Sequence, residues 1–278
     1  MRILLCLLAL THLLGGCDAP QARQETVDTA GVSLPMDVLV VGARHKVRTV
    51  VDGDTITLAT GKDVRMVGTQ APKLPLGRPN FEAWPLGDAA KDYLATLVDG
   101  QEVTLYFGGL EEDRHGRWLA HLVRDDGLWL QGAMLEAGFA RVYTFPDNRS
   151  AVNALLAAEA VARRENKGIW RHPYYAIRTP KEMEADPDAF VDSFQIVRGR
   201  VDGTGDAGGR LFINFGGDWS TDFTAVAARG ARRKFADAPQ FDRDRLEGSL
   251  VEIRGWVEAR QGPSIELTHP EQLVYVED

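Results

Sequence analysis

Short runs of alternating apolar and polar residues fill most of the chain. Residues 50–73 read VVDGDTITLATGKDVRMVGTQAPK. An apolar, β-branched run meets an Asp-Gly-Asp turn, residues 55–59 alternate, and Thr-Gly-Lys-Asp precedes a third run over residues 64–68. Asp-Gly and Thr-Gly between alternating runs signal hairpins. The stretch therefore predicts a three-strand meander with Asp52, Asp54 and Arg65 near one end. Residues 36–41 are apolar enough for an edge strand, and residues 101–107 and 118–123 alternate again. Ala89, Tyr93, Leu94 and Leu97 recur at helical spacing and predict a helix over residues 88–98, stopped by Asp99-Gly100. Residues 130–136 predict a second helix, closed by Gly138. Residues 150–165 predict a long alanine-rich one, with Asn148 or Ser150 as its cap and Gly168 past its end. Its Ala/Leu/Val stripe reads as core packing. Residues 140–143 read as short and extended. Three prolines, a glycine and an asparagine within residues 74–85 exclude regular structure and leave a loop rimmed by Phe81 and Trp84.

Past a proline-punctuated, charged segment at residues 172–187, read as a linker, strands resume at 194–201, 210–215, 221–228, 250–257, 264–267 and 273–276. A DGTGDAGG turn lies between the first two. Residues 231–246 are amphipathic and predict a partly helical connection broken by Pro239. The expected class is α+β, mainly β. A five-stranded oligonucleotide/oligosaccharide-binding (OB) barrel with helices occupies residues 38–171, and a second, smaller OB-like barrel occupies residues 188–278.

Residues 1–16 carry Arg2, an apolar run over 3–14 and Gly15-Gly16, which is the pattern of a secretory signal. The Leu-Gly-Gly-Cys ending resembles a bacterial lipoprotein box. That resemblance implies acylation of Cys17, anchoring by several chains, and residues 17–37 as a polar tether. Asp18 after the acylated cysteine implies retention at the periplasmic face of the inner membrane, in the bacterial cell envelope. With Cys6 in the removed signal, no cysteine remains for a disulfide, a thiolate metal site or a nucleophile.

Charge narrows the partners. The chain is −8. Residues 45–171 hold 17 acids and 16 bases, and residues 186–278 hold 17 acids and 11 bases. Long nucleic acid is held by a broad basic face, and composition shows none. Short nucleic acid at a local arginine clamp, an envelope protein, or a glycan fits better. Acids and an arginine on one small sheet can place a divalent cation beside a phosphate. Asp218, Trp219, Asp222 and Phe223 share one turn and read either as a stacking cleft or as a turn with buried aromatics. Residues 229–234 form a basic cluster that reads as a solvated helix face.

Three linked motifs then carry a family resemblance. VDGDT, RMVGTQAP and DRHGR, in order and followed by NKGIW at residues 166–170, resemble the thermonuclease (staphylococcal-nuclease-like) family over roughly residues 46–170. The resemblance implies calcium-dependent hydrolysis of phosphodiesters in nucleic acid. It implies Asp54 as a metal ligand and Arg65 and Arg117 as the phosphate-clamping catalytic arginines, with Arg114 and His115 touching nucleic acid. It places Gln70 where the family has its second metal aspartate and Lys73 where it has the water-aligning glutamate. An amide oxygen ligates calcium without negative charge, and a protonated lysine accepts no proton. Glu82, the one acid in the 74–85 loop, is the candidate substitute ligand or base, and Arg78 beside it a candidate phosphate contact. Two arrangements follow. Asp54, Gln70 and Glu82 converging among the arginines would keep an altered metal site. Lys73 paired with Asp54 would neutralise it, leaving a non-catalytic module for nucleic acid, glycan or protein.

Overall fold

The computed structural model describes residues 32–277, so the signal segment and Cys17 lie outside the described residues. The first half is a closed barrel of β1 (Val40–Asp52), β2 (Thr55–Leu58), β3 (Asp63–Met66), β5 (Glu102–Phe107) and β6 (Trp118–Arg124), in the order β1-β2-β3-β6-β5. One long strand closes it. Of the edge strand expected over residues 36–41 only Val40 and Val41 are strand, because Met36–Val38 turns as a short 3-10 helix. They and the first arm of the meander are parts of β1, which pairs with β5 through its first half and with β2 through its second. The ladder shifts register between Val41 and Arg44, and again beyond Val47. Such shifts bend a strand. At Gly42 a Cβ would meet the Phe107 ring at 2.5 Å, so this bend requires glycine.

Helices α1 (Gly87–Val98), α2 (Leu130–Glu136) and α3 (Val152–Arg164) follow in sequence. Ile56, Leu58, Met66, Leu94, Leu105, Leu122, Leu130 and Leu155 are fully enclosed between helices and barrel. Neither Asn148 nor Ser150 caps α3. Asn148 Nδ2 donates to Leu110 O (2.8 Å) and Ser150 Oγ to Gly108 O (2.6 Å), tying the helix entrance to the strap after β5. Two two-residue strands, β4 (Thr69–Gln70) and β7 (Arg141–Val142), pair with each other. At the entrance to the fold, Leu34 packs in the core, so the described end of the expected tether is anchored.

The segment expected as a linker is folded as well. Helix α4 (Pro180–Ala185) opens with a Thr179/Glu182 capping box and buries Met183 in the second core. The second half is a seven-stranded sheet built from β8 (Phe194–Arg200), β9 (Gly203–Ala207), β10 (Arg210–Asn214), β11 (Thr224–Ala227), β12 (Leu250–Arg260), β13 (Gly262–Leu267) and β14 (Leu273–Tyr275). Its path is β14-β12-β13-β11-β10-β9, with β8 on the other edge of β12. β9 lies inside the stretch expected to be one long turn. Short helices α5 (Arg229–Lys234) and α6 (Arg243–Leu246) form the interrupted connection.

Buried charge joins the two halves. Glu159, in the stripe read as plain packing, is 1% exposed and accepts from Arg254 Nη2 (3.0 Å) and Val142 N (2.6 Å). Glu252 on β12 binds Arg163 of α3 (2.6 Å) and Arg198 of β8. Arg149 meets Glu271, and Thr144 Oγ1 lies 2.7 Å from His269 Nε2.

Two outcomes follow from these buried groups. E159Q leaves Arg254 without its carboxylate, and the lost stability is expected to be about 3–5 kcal/mol, as for other broken buried pairs. Urea denaturation checks this. Burial, above all, lowers His269 to about 4 and His121 to about 3 from an ordinary 6.5. Both imidazoles are neutral in the fold, so stability is complete above about pH 6.5 and falls as pH drops toward 4. His269 alone accounts for about 3 kcal/mol of that slope. H269Q is expected to remove about half of the slope in denaturation curves taken from pH 4.5 to 7.5, with His121 keeping the rest.

Candidate active site

The Asp-Gly-Asp turn between β1 and β2 aims Asp54 inward. Gly53 permits this, because a Cβ there would lie 2.7 Å from Ala71 Cβ and 2.9 Å from Ala90 Cβ. Asp54 is 0% exposed. Its Oδ1 lies 2.6 Å from Arg65 Nη1, and its Oδ2 lies 2.6 Å from Lys73 Nζ. Ala71 N donates to Oδ2 (2.7 Å) and Thr55 Oγ1 to Oδ1 (3.2 Å). Burial pushes this carboxyl up, but the Arg65 and Lys73 charges outweigh it and hold Asp54 well below the usual carboxylate range.

Asp52 stands behind. Its Oδ1 accepts from Asp54 N (3.2 Å), and its Oδ2 lies 3.6 Å from Lys73 Nζ. Burial, then the neighbouring Asp54 charge, raises its pKa. Burial and the Arg65 charge lower Lys73, with Asp54 and Asp52 acting against them. Two acids and two bases thus interlock, and Lys73 sits directly on the carboxylate that the resemblance assigns to metal.

The other expected site residues are elsewhere. Gln70 is buried, and its Oε1 accepts from Arg141 Nε at 2.9 Å across the β4–β7 ribbon. That ribbon turns Gln70 to Arg141, not to Asp54. Arg141 in turn lies under the rings of Phe194 (4.5 Å), Tyr175 (5.6 Å) and Trp84 (5.9 Å), so Trp84 folds inward instead of rimming a loop. Arg117 precedes β6, whose Leu119 pairs with Arg65. It donates to Asp113 Oδ2 through Nη2 (2.7 Å) and Nε (2.9 Å). Burial raises Asp113, and hydrogen bonds from Arg117 and His115 bring it below its ordinary value. Arg114 and His115 are exposed on the same turn, linked at 3.1 Å. Glu82 is exposed on the 74–85 loop. Arg78 is bound to Pro75 O (3.0 Å) and stacked 3.7 Å from the Phe81 ring, so it braces its own loop.

Calcium takes 6–8 oxygen ligands. Here both Asp54 oxygens serve cations and backbone, the Gln70 oxygen serves Arg141, and an ammonium stands beside the carboxylate. No group of three or more His, Cys, Asp or Glu side chains that could hold a metal occurs among the described residues. In this arrangement the residues do not fit calcium. Reading the sequence missed Arg141 as the partner of Gln70. No signal pointed there, because the two strands that pair them are two residues long.

The closed five-stranded barrel with its helices is an OB fold carrying an arginine-bearing meander. The model of the family described as staphylococcal nuclease homologue matches residues 63–172. The thermonuclease of Staphylococcus hyicus is 31% identical over 134 residues, 45% of this chain and 75% of that protein. An uncharacterized endonuclease of Escherichia coli O157:H7 is 30% identical over 136 residues, 48% of this chain and 80% of that protein. Endonuclease YhcR of Bacillus subtilis is 31% identical over 147 residues, and the match spans 49% of this chain but 12% of that protein. The chain belongs to the staphylococcal nuclease homologue family, and its first half is a thermonuclease-like domain.

One measurement separates this centre from a cluster of acids. Removing an acid from such a cluster relieves repulsion and stabilises the fold. D54A instead leaves Arg65 and Lys73 enclosed without their counter-charge, and a loss of about 3–5 kcal/mol in urea denaturation is expected.

Proposed function

We propose that the thermonuclease-like domain binds short nucleic acid without cutting it at a rate typical of its family. The observation that carries this reading is Lys73 Nζ, 2.6 Å from Asp54 Oδ2. An internal cation there offsets the charge that a divalent metal would neutralise. The position that would align water holds a group unable to take a proton while charged. The arginines that the resemblance assigns to phosphate are retained, Arg65 against Asp54 and Arg117 against Asp113. The LGGC sequence ending at Cys17 supports a lipid-anchored protein of the bacterial cell envelope, at the periplasmic face of the inner membrane. An envelope protein is the alternative partner in that setting.

A second reading, phosphodiester hydrolysis by an altered centre, draws on relatives whose names are those of nucleases. It requires Lys73 to leave Asp54 and an acid such as Glu82 to take its place.

The test uses the full chain in mild detergent with labelled single-stranded DNA and RNA, with calcium against EDTA. No calcium-dependent cutting and no heat stabilisation by calcium is the expected result. The double variant Q70D/K73E restores two carboxylates and is expected to gain a calcium-dependent rise in melting temperature. Calcium-dependent cutting by the wild type, abolished in R65A and R117A, would overturn the reading in favour of the second.

A further inference from the structure

The second sheet has a feature that the thermonuclease-like domain does not explain. Its strands alternate cleanly. Leu211, Ile213, Ala225, Ala227, Ile265 and Leu267 enter the core. The opposite face, with Arg210, Phe212, Asn214, Thr224, Val226 and Ser264, borders a cavity of about 470 Å³ that also takes in Trp219 and Arg260. That size falls within the range of about 300–1,000 Å³ typical of small-ligand sites.

Three observations point to the occupant. The first is the edge strand. Phe212 pairs with Gly205 and Asn214 with Gly203. A Cβ on Gly203 would meet nothing within 4 Å, and one on Gly205 would reach only Phe212 Cβ, at 4.0 Å. Neither glycine is needed for close packing, and neither has a positive φ. Glycine inside a strand weakens it and marks places where another group approaches. Here the two glycines leave the Phe212 side of the face uncovered.

The second observation is Trp219, 64% exposed at the rim. It does not hang on a loose loop. Asp218 N donates to Asp222 Oδ2 (2.7 Å), Asp222 N to Asp218 O (2.8 Å) and Ser220 N to Asp218 Oδ1 (3.0 Å), fixing the turn that presents the indole. The same turn buries Phe223 completely, so of its two aromatics only Trp219 is available.

The third observation is charge. Asp206 in the lining is taken by Arg232 and by Arg243 (3.3 Å), and Arg260 by Glu258 (2.7 Å) and Glu266 (3.1 Å). Arg210 is exposed; its backbone pairs with Ala207, and its guanidinium has no hydrogen-bond or ion-pair partner among the described residues. A guanidinium left unpaired within a domain of 17 acids and 11 bases suits an anion with oxygens for its fork. A glycan of neutral sugars offers acceptor oxygens but no negative charge.

We propose that this face binds single-stranded nucleic acid, one nucleotide in the groove, with a base stacked on Trp219 and a phosphate at Arg210. Aromatic platforms beside a cation are a general means by which proteins hold single strands. The inference stands on the second sheet alone, outside residues 63–172, and does not depend on whether the first domain cuts or binds.

The test is fluorescence anisotropy of a labelled eight-nucleotide oligothymidine with the full chain in mild detergent, followed also by quenching of tryptophan emission. Both side chains are exposed, so W219A and R210A fold as the wild type does. Each is expected to weaken binding about ten-fold or more, and R210A to reduce the salt slope by about 1. R117A, which leaves the buried Arg65–Asp54 pair intact, is expected to leave the tryptophan quenching in place. No binding of the oligonucleotide would overturn the proposal, as would binding indifferent to W219A and R210A but lost in R117A. Quenching by a neutral chitin hexamer that R210A leaves unchanged would overturn it in favour of a glycan.

Discussion

A carboxylate cannot be shut away from water without a compensating charge, and Asp54 is shut away completely. Taking an ion into a protein interior costs several kcal/mol unless partners and hydrogen bonds replace its hydration. A domain that met this demand with a bound divalent metal would stay open to solvent at that point. This one meets it with its own lysine. The choice propagates outward. Lys73 reaches Asp54 because the segment after β4 turns back over Gly53, and Ala71 N on that segment supplies a further hydrogen bond. Gln70, freed from facing the carboxylate, becomes the partner of Arg141. Arg141 then organises the rings of Trp84, Tyr175 and Phe194, the last of which belongs to the second half.

The same constraint joins the halves. Glu159 and Glu252 lie where helix α3 meets the second sheet, and each pairs with one arginine from across the junction, Arg254 and Arg163 respectively, and one from its own side. Buried pairs of this kind contribute little net stability compared with well-packed apolar residues, yet breaking one is costly. Their effect is on arrangement. An arginine that must find a particular glutamate permits one packing of the two sheets and disfavours sliding.

Much of the first barrel was legible. The meander follows from the Asp-Gly-Asp and Thr-Gly-Lys-Asp turns, whose conformational preferences are local and act whatever the rest of the chain does. Helix α1 follows from Leu94 and Leu97 at helical spacing. The long β1 was not legible, because its middle is polar where it lies on the outside of the barrel. The strand β9 was read as turn because glycine is a turn former first. At the centre, the types of residue at 70 and 73 could be read and their partners could not. Gln70 and Arg141 are 71 residues apart, and Glu159 and Arg254 are 95. A lone acid in an alanine-rich stripe, such as Glu159, was the one available sign of a partner far along the chain.

The charged seam bears on how the molecule would be dismantled. A protease reaching the exposed positions around Lys181 would cut the peptide connection between the halves. It would not release them, since Glu159, Glu252, Glu271 and His269 bind across the cut and do not rely on it. The nicked chain would migrate as one particle until heat or acid opened the seam. Clearance of such a protein is therefore set by the cooperative unfolding of both sheets and not by the accessibility of the segment that joins them.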